Sequence, residues 1–309
     1  MRSDVIKHTV EISQQPVHLT VRHKQLLLLR DGENAASLPC EDLGVVLVDH
    51  PGTTYSHAAL MAIAESEAVL VVCGRNHLPS AVLLPISSHS QVVWRINEQL
   101  GASKPLKKRL WAQIVQAKVR AQAFGLPSTS PGHRKLLELA KQIRSGDPEN
   151  VEAQAARVYW GQWCPCDNFK RDANGDGVNG LLNYGYAVLR AAVARALVAA
   201  GLLPALGLHH SNRANAFCLA DDLMEPIRPL VDDRVRDLCQ REEMELTPAT
   251  KAQLLSLLAE PVQFGGQTGP LMNNLHRYAF SLVCCYQGKS SRLEIPTRCS
   301  SADTVVCGS

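Results

Sequence analysis

The spacing of apolar residues changes period once along this chain. Through residue 86 it is the period of two expected of a strand with one buried face. Val17, Leu19 and Val21 alternate with His18, Thr20 and Arg22. Short aliphatic runs follow at 26–29, 45–48, 69–73 and 82–84, separated by turn signals such as Asp31-Gly32 and His50-Pro51-Gly52. One helical pattern interrupts them, from residue 56 to about residue 67. From Lys104 onward the period is helical. Leu106, Leu110, Ile114, Ala117 and Ala121 share one face. A second helix is predicted to open at Pro148 with Asp147 as its N-cap. A third spans about 180–200, apolar on nearly all sides, and stops at Gly201, as a buried central helix would. Thr247 is placed to cap another, and 271–285 reads as one more.

The predicted architecture is α+β: a small β-sandwich-like domain (1–86), a linker (87–103), an all-α domain (104–296) and a flexible tail (297–309). A hydrophobic fraction of 46% over 309 residues is ample for a core, which excludes a disordered chain. A net charge of +3 selects no partner by itself. The first residues lack the apolar run of a signal peptide, and no apolar stretch is long enough to span a bilayer. The ten cysteines are therefore expected in a reducing cytoplasm. The close pairs, Cys164-Pro165-Cys166 and Cys284-Cys285, lack C-x-x-C spacing and read as small apolar residues.

The chemistry-bearing residues are His210, Asp222, Glu225 and, far upstream, Glu152. The first three lie in Gly207–Pro226, a stretch otherwise rich in apolar residues, where an ionised group needs a partner. On a helix Asp222 and Glu225 share a face, and so do Asp221 and Glu225. Like charges so placed repel unless a cation bridges them. His209 and His210 would point about 100° apart, so one of them serves a site. One imidazole with two or three carboxylates suits Mg²⁺ or Mn²⁺ better than zinc. The competing reading is a solvated acidic helix end with a structural histidine. Glu152 shares its face with Ala155, Ala156 and Tyr159, a lining that would let another helix approach. Taken alone it reads more simply as an exposed glutamate in a first helical turn.

Two further patterns carry less. Asp172-Ala-Asn174-Gly-Asp176-Gly177 matches half of a calcium loop, but its twelfth position is Asn183 where a bidentate Glu is needed, so it reads as a polar turn. Between Lys104 and Arg120 stand six cations and no acid. Lys104, Lys107, Lys108 and Lys118 cluster around Trp111 on one face. This is either a solvated surface or one that tracks phosphates.

Several motifs together resemble the CRISPR-associated adaptation integrase, the universal spacer-acquisition endonuclease, in its type II branch. They include His50-Pro-Gly-Thr-Thr-Tyr-Ser-His57, Glu152-Ala-Gln-Ala-Ala-Arg-Val-Tyr-Trp160, Asn179-Gly-Leu-Leu-Asn-Tyr-Gly-Tyr186 and the segment from Gly207 to Asp232. The resemblance runs over nearly the whole chain and implies a β domain followed by a helical catalytic domain. It implies Glu152, His210 and Glu225 as catalytic metal ligands for Mg²⁺ or Mn²⁺, with Asp222 as a further acid and His209 behind His210. Glu225, rather than Asp, is what the type II branch would show. The implied activity joins protospacer 3′-OH ends to CRISPR repeat DNA by transesterification, in a cytoplasmic prokaryotic protein. Implied partners are double-stranded DNA, a second copy of the chain, a small adaptation protein, a DNA-end-binding protein and the effector nuclease. The β domain would serve dimerisation and partner contacts. A stand-alone metal-dependent nuclease on branched DNA, and a non-catalytic DNA-binding scaffold, remain the alternatives.

Overall fold

The computed structural model describes residues 7–85, 89–164 and 169–299. Its first part runs β1 (His8–Ile12), β2 (His18–Arg22), β3 (Gln25–Arg30), β4 (Glu33–Pro39), β5 (Leu43–Val48), β6 (Thr54–Tyr55), α1 (His57–Glu65), β7 (Val69–Cys73) and β8 (Pro79–Leu83). Two four-stranded sheets result, ordered β1-β5-β7-β8 and β4-β3-β2-β6. In the first, β5 pairs in parallel with both β1 and β7, and β8 closes the edge antiparallel. The second is an antiparallel meander joined by the short β6. Val10 and Ile12 of one sheet share a core with Leu19 and Leu26 of the other, the packing of a sandwich.

Every residue of β5 is buried. Alternate side chains point to opposite faces of a strand. Val46 and Val48 therefore enter the sandwich core, while Val45 and Leu47 enter the core of the helical region. A parallel strand covered on both sides needs such an unbroken apolar run. Each fully buried aliphatic side chain contributes about 1.5–3 kcal/mol. Ser56 starts α1 as its N-cap, its Oγ accepting from Ala59 N at 3.1 Å.

The second part runs α2 (Val92–Gly101), α3 (Lys104–Phe124), α4 (Pro131–Gln142), α5 (Val151–Trp163), α6 (Val178–Ala199), α7 (Cys218–Met224), α8 (Arg228–Gln240), α9 (Pro248–Ser256), β9 (Pro261–Phe264), β10 (Gln267–Pro270), α10 (Leu271–Tyr286) and β11 (Thr297–Arg298). Most of the expected linker 87–103 is thus the helix α2; residues 86–88 lie outside the described residues. Nor is 104–296 all helical. A three-stranded sheet, β10-β9-β11, interrupts it. Its hairpin turns at Gly265-Gly266, both at positive φ (57° and 77°), the conformation that a two-residue loop with right-handed strand twist demands. Thr297 and Arg298, expected to open a loose tail, instead pair with Gln263 and Val262. Residues 300–309, and Pro165 and Cys166 of the Cys-Pro-Cys segment, lie outside the described residues.

The central helix is α6, buried along nearly its whole length and packed by α7, α8, α9 and α10 and by β7 and β8. A buried ion pair also joins the two parts. Lys251 of α9 meets Asp49 at the end of β5, and His77 Nδ1 lies 3.0 Å from the same carboxylate. No helix among the described residues is long and apolar enough to cross a membrane.

Candidate active site

The site forms where α3, the first turn of α5, and the segment from α7 to α8 meet. The start of α5 differs from expectation. Asn150, at φ 51°, holds the N-cap position without a side-chain bond, and Pro148 lies in the preceding turn. Asp147 still caps the helix from three residues further out, accepting from Val151 N at 2.9 Å and Glu152 N at 3.0 Å. That carboxylate satisfies two of the donors that a helix start leaves open. It also holds Glu152 with its side chain toward α3 rather than toward solvent.

Lys118 of α3 receives it. The Lys118 Nζ is 2.6 Å from Glu152 Oε1 and 2.5 Å from Glu225 Oε2. Glu225 opens a 3-10 turn, Glu225–Ile227, between α7 and α8. Pro226 and Pro229 supply no backbone N–H, so the hydrogen-bond ladder of one continuous helix cannot run through this segment. The other Glu225 oxygen, Oε1, accepts from Arg228 Nη1 at 2.6 Å. The Arg228 guanidinium lies over the Tyr186 ring, its Cζ 4.1 Å from the centroid.

Glu225 is only 4% exposed. Burial works against its charge, but Arg228 and Lys118 outweigh burial and hold its carboxyl down to about 2. For Lys118, burial opposes the charge and the two glutamates more than restore it, leaving its ammonium above the ordinary lysine value. The ammonium is thus the shared cation of both carboxylates.

His210 lies in the loop joining α6 to α7. The fully buried Asp222 fixes that loop. Its two oxygens accept from Leu208 N (2.6 Å), His209 N (3.1 Å) and His210 N (3.2 Å), and from His210 Nδ1 at 2.6 Å. Gly207 makes the turn possible, since a Cβ there would lie 2.3 Å from His210 O and 2.9 Å from Asp222 Oδ2. The hydrogen bond that His210 donates to Asp222 leads the causes that raise its imidazole above the usual value, against partial burial. With Nδ1 committed, Nε2 is the nitrogen available to a ligand.

The structure separates residues that the sequence groups. Asp222 and Glu225, expected to work on one face, serve different partners: the histidine loop and the two cations. Trp111 and Lys118, expected on an outward cationic face of α3, both turn inward. Trp111 is 1% exposed and stacks on His209, with centroids 4.3 Å apart. The side chain of Lys118 is 13% exposed. Lys104 and Lys108 remain exposed and Lys107 half-buried. Seven residues apart, Trp111 and Lys118 stand on the same side of α3, two turns from one another.

As the side chains stand, no three His, Cys, Asp or Glu groups among the described residues form a ready metal cluster. Lys118 divides the two glutamates, and of the two only Glu225 is close enough to His210 to act on its charge. The donor set still fits a divalent ion. Two carboxylates from different elements converge on one cation, each with an oxygen in ion-pair contact with it.

A family model described as CRISPR associated protein Cas1 matches residues 10–258, most of the chain. The chain belongs to the Cas1 family. It is 42% identical over 244 residues to a CRISPR-associated endonuclease Cas1 of Neisseria meningitidis serogroup C (strain 8013), covering 78% of this chain and 79% of that protein. It is 29% identical over 278 residues to a CRISPR-associated endonuclease Cas1 of Pyrobaculum aerophilum, covering 85% and 94%. Among solved structures, a casposase bound to integration product superposes with a TM-score of 0.76 at 19% identity, over 93% of this chain and 92% of that one. A CAS1 protein from Thermotoga maritima does so with a TM-score of 0.73 at 16% identity, over 91% and 97%.

The Cas1 family match contains every residue of the site, from Trp111 to Arg228, and ends before β9. Three of those residues escape the motif reading. Arg228 is signalled only by its i, i+3 spacing from Glu225. Lys118 is hidden because its face reads as an outward one, either solvated or phosphate-tracking. Asp147 is recognisable as a cap, but three residues from the helix it caps.

Proposed function

We propose that this Cas1 family member is a metal-dependent DNA integrase and endonuclease of spacer acquisition, of the type II branch. The observation that supports it best is the convergence of Glu152 and Glu225 on one cation beside an imidazole whose other nitrogen is held by Asp222. Glu152, Glu225 and His210 Nε2 would hold Mg²⁺ or Mn²⁺. A bound ion there supplies Lewis-acid stabilisation of charge on phosphodiester oxygens. Asp222 keeps His210 in one tautomer and orientation. Arg228 keeps Glu225 ionised. Lys104, Lys107 and Lys108 contact the DNA backbone.

In the reaction, the 3′-hydroxyl of a protospacer strand attacks a phosphorus in the CRISPR repeat. A new P–O bond forms, the repeat's own P–O3′ bond breaks, and the proton of the attacking hydroxyl ends on the departing 3′-oxygen. One phosphodiester replaces another, so no nucleotide cofactor is consumed. With water as the nucleophile the same site cleaves DNA. The reading draws on the Neisseria meningitidis relative's name as an endonuclease and on the casposase bound to integration product. A solved Cas6-RT-Cas1–Cas2 complex, with a TM-score of 0.75 at 18% identity, supports a small adaptation partner. The working assembly is a cytoplasmic homodimer with that partner, joined in type II systems by a DNA-end-binding protein and the effector nuclease.

Purified protein with Mn²⁺, repeat-bearing DNA and short 3′-OH duplexes should yield strand-transfer products that disappear in Glu225→Ala and His210→Ala. Full activity in both variants would overturn the site. DNA binding without products would favour a scaffold. Cleavage of branched DNA without repeat preference would favour a stand-alone nuclease.

A further inference from the structure

We infer that Lys118 is an exchangeable counter-cation of the candidate metal site, which a divalent ion must displace in order to bind. This rests on Glu152 and Glu225 being metal ligands. The ammonium lies between them, 2.6 and 2.5 Å from one oxygen of each. An ion held by both carboxylates has to take that place, because two cations cannot share it without repulsion at short range. The two therefore compete for one pair of oxygens.

Three features make the exchange feasible. Glu225 keeps a second cation when the ammonium leaves, because its Oε1 accepts from Arg228 Nη1 at 2.6 Å. Lysine is a point charge on a flexible stem, whereas an arginine fork would lock onto a carboxylate. Room exists beside it: Lys118, Gln122, Arg171, Arg228 and Asp232 line a cavity of about 90 Å³. There Asp232 can receive the withdrawn ammonium. Arg171 and Arg228 line the same cavity and offset that gain, so withdrawal is uphill. The uphill step lowers metal affinity. Lys118 in turn keeps the two buried carboxylates from repelling each other whenever no ion is bound.

The test is Mn²⁺ binding by titration calorimetry, together with melting temperature with and without Mn²⁺. Lys118→Met should bind Mn²⁺ about tenfold more tightly than wild type. It should also melt lower without the ion and regain that loss when Mn²⁺ is added. Unfolding of Lys118→Met on chelation, with folding restored by Mn²⁺, supports the same conclusion. Lys118→Arg, whose fork grips both carboxylates, should bind Mn²⁺ more weakly than wild type and decides the matter if Lys118→Met does not fold at all. Unchanged or weaker binding in Lys118→Met, or unchanged or tighter binding in Lys118→Arg, overturns the inference. Glu225→Gln separates the two levels. If wild type binds Mn²⁺ no better than Glu225→Gln, the metal site itself fails and the inference with it. If Glu225→Gln loses the ion while Lys118→Met matches wild type, only the inference fails.

Discussion

The indole of Trp111 and the imidazole of His209 lie parallel, 4.3 Å apart with their planes within 3°, and His210 stands edge-on to the indole at 5.6 Å. Trp111 is therefore the wall against which the histidine loop rests. Trp111→Leu should cost about 2–4 kcal/mol, since truncating a buried tryptophan leaves a cavity. It should also lower strand transfer at least about tenfold in the folded fraction, because a misplaced catalytic group loses reactive geometry. Urea unfolding and the strand-transfer assay measure the two effects. Wild-type activity in Trp111→Leu would mean that Asp222 alone positions the loop.

His210 should titrate above the ordinary histidine value of 6.5, with the Asp222 hydrogen bond as the leading cause. A folded pKa raised above the unfolded one stabilises the protein fully below 6.5, and that stabilisation is lost as pH rises through the raised value. Asp222→Asn should return the imidazole to 6.5 or below and flatten the corresponding fall in stability. NMR titration of the His210 ring follows the first effect. A His210 pKa unchanged by Asp222→Asn would remove the stated cause.

Lys251 and Asp49 form a buried pair between the helical region and the sandwich. Lys251→Met should destabilise by about 3–5 kcal/mol, because it leaves a buried carboxylate without its cation. Adding Asp49→Leu should recover most of that loss. A double-mutant cycle in chemical denaturation measures the coupling. If the double variant loses the sum of the two single losses, the residues do not act as a pair.

Asp232 accepts from Tyr159 OH at 3.0 Å and from Tyr186 OH. Burial, the largest influence, lifts its carboxyl to about 7, against the opposing pull of Tyr186, Arg228 and Tyr159. The folded value stands above the unfolded one. The contribution to stability is thus complete below about 3.8 and drains away as pH climbs through about 7. Wild type should lose ground to Asp232→Asn over that interval. Denaturant midpoints for the two proteins that shift in parallel with pH would refute it.

Strong periodicity made the frame legible. The alternation at Val17, Leu19 and Val21 marks β2, and the apolar stretch before Gly201 marks α6, which ends at Ala199. The strand β4 was not legible, since Glu33-Asn-Ala-Ala-Ser carries no β-branched residue and little of it is buried. The helix α2 hid in the expected linker, and β9–β10 needed the Gly265-Gly266 turn to be read as a hairpin. In the site, spacing singled out His210, Asp222 and Glu225 and the family resemblance added Glu152, but neither shows what each one touches. The inward face of α3 is centred on Trp111, Val115 and Val119 rather than on Ala117 and Ala121. That rotation of part of a turn converted Lys118 from a surface cation into the partner of two glutamates. Helical spacing fixes which residues lie near each other, but the packing partner decides which stripe is buried.

Because β5 gives alternate side chains to two cores, the N-terminal strands are not a detachable module. A fragment ending near residue 103 would turn Val45, Leu47, Val69 and Val71 to water as a contiguous apolar stripe on a parallel sheet. Such a stripe invites self-association. The parallel pairing of β5 with β1 and β7 also joins segments distant in sequence. Assembly of that layer is expected to be slow, and its exposed face a hazard on the ribosome until α6 arrives to cover it.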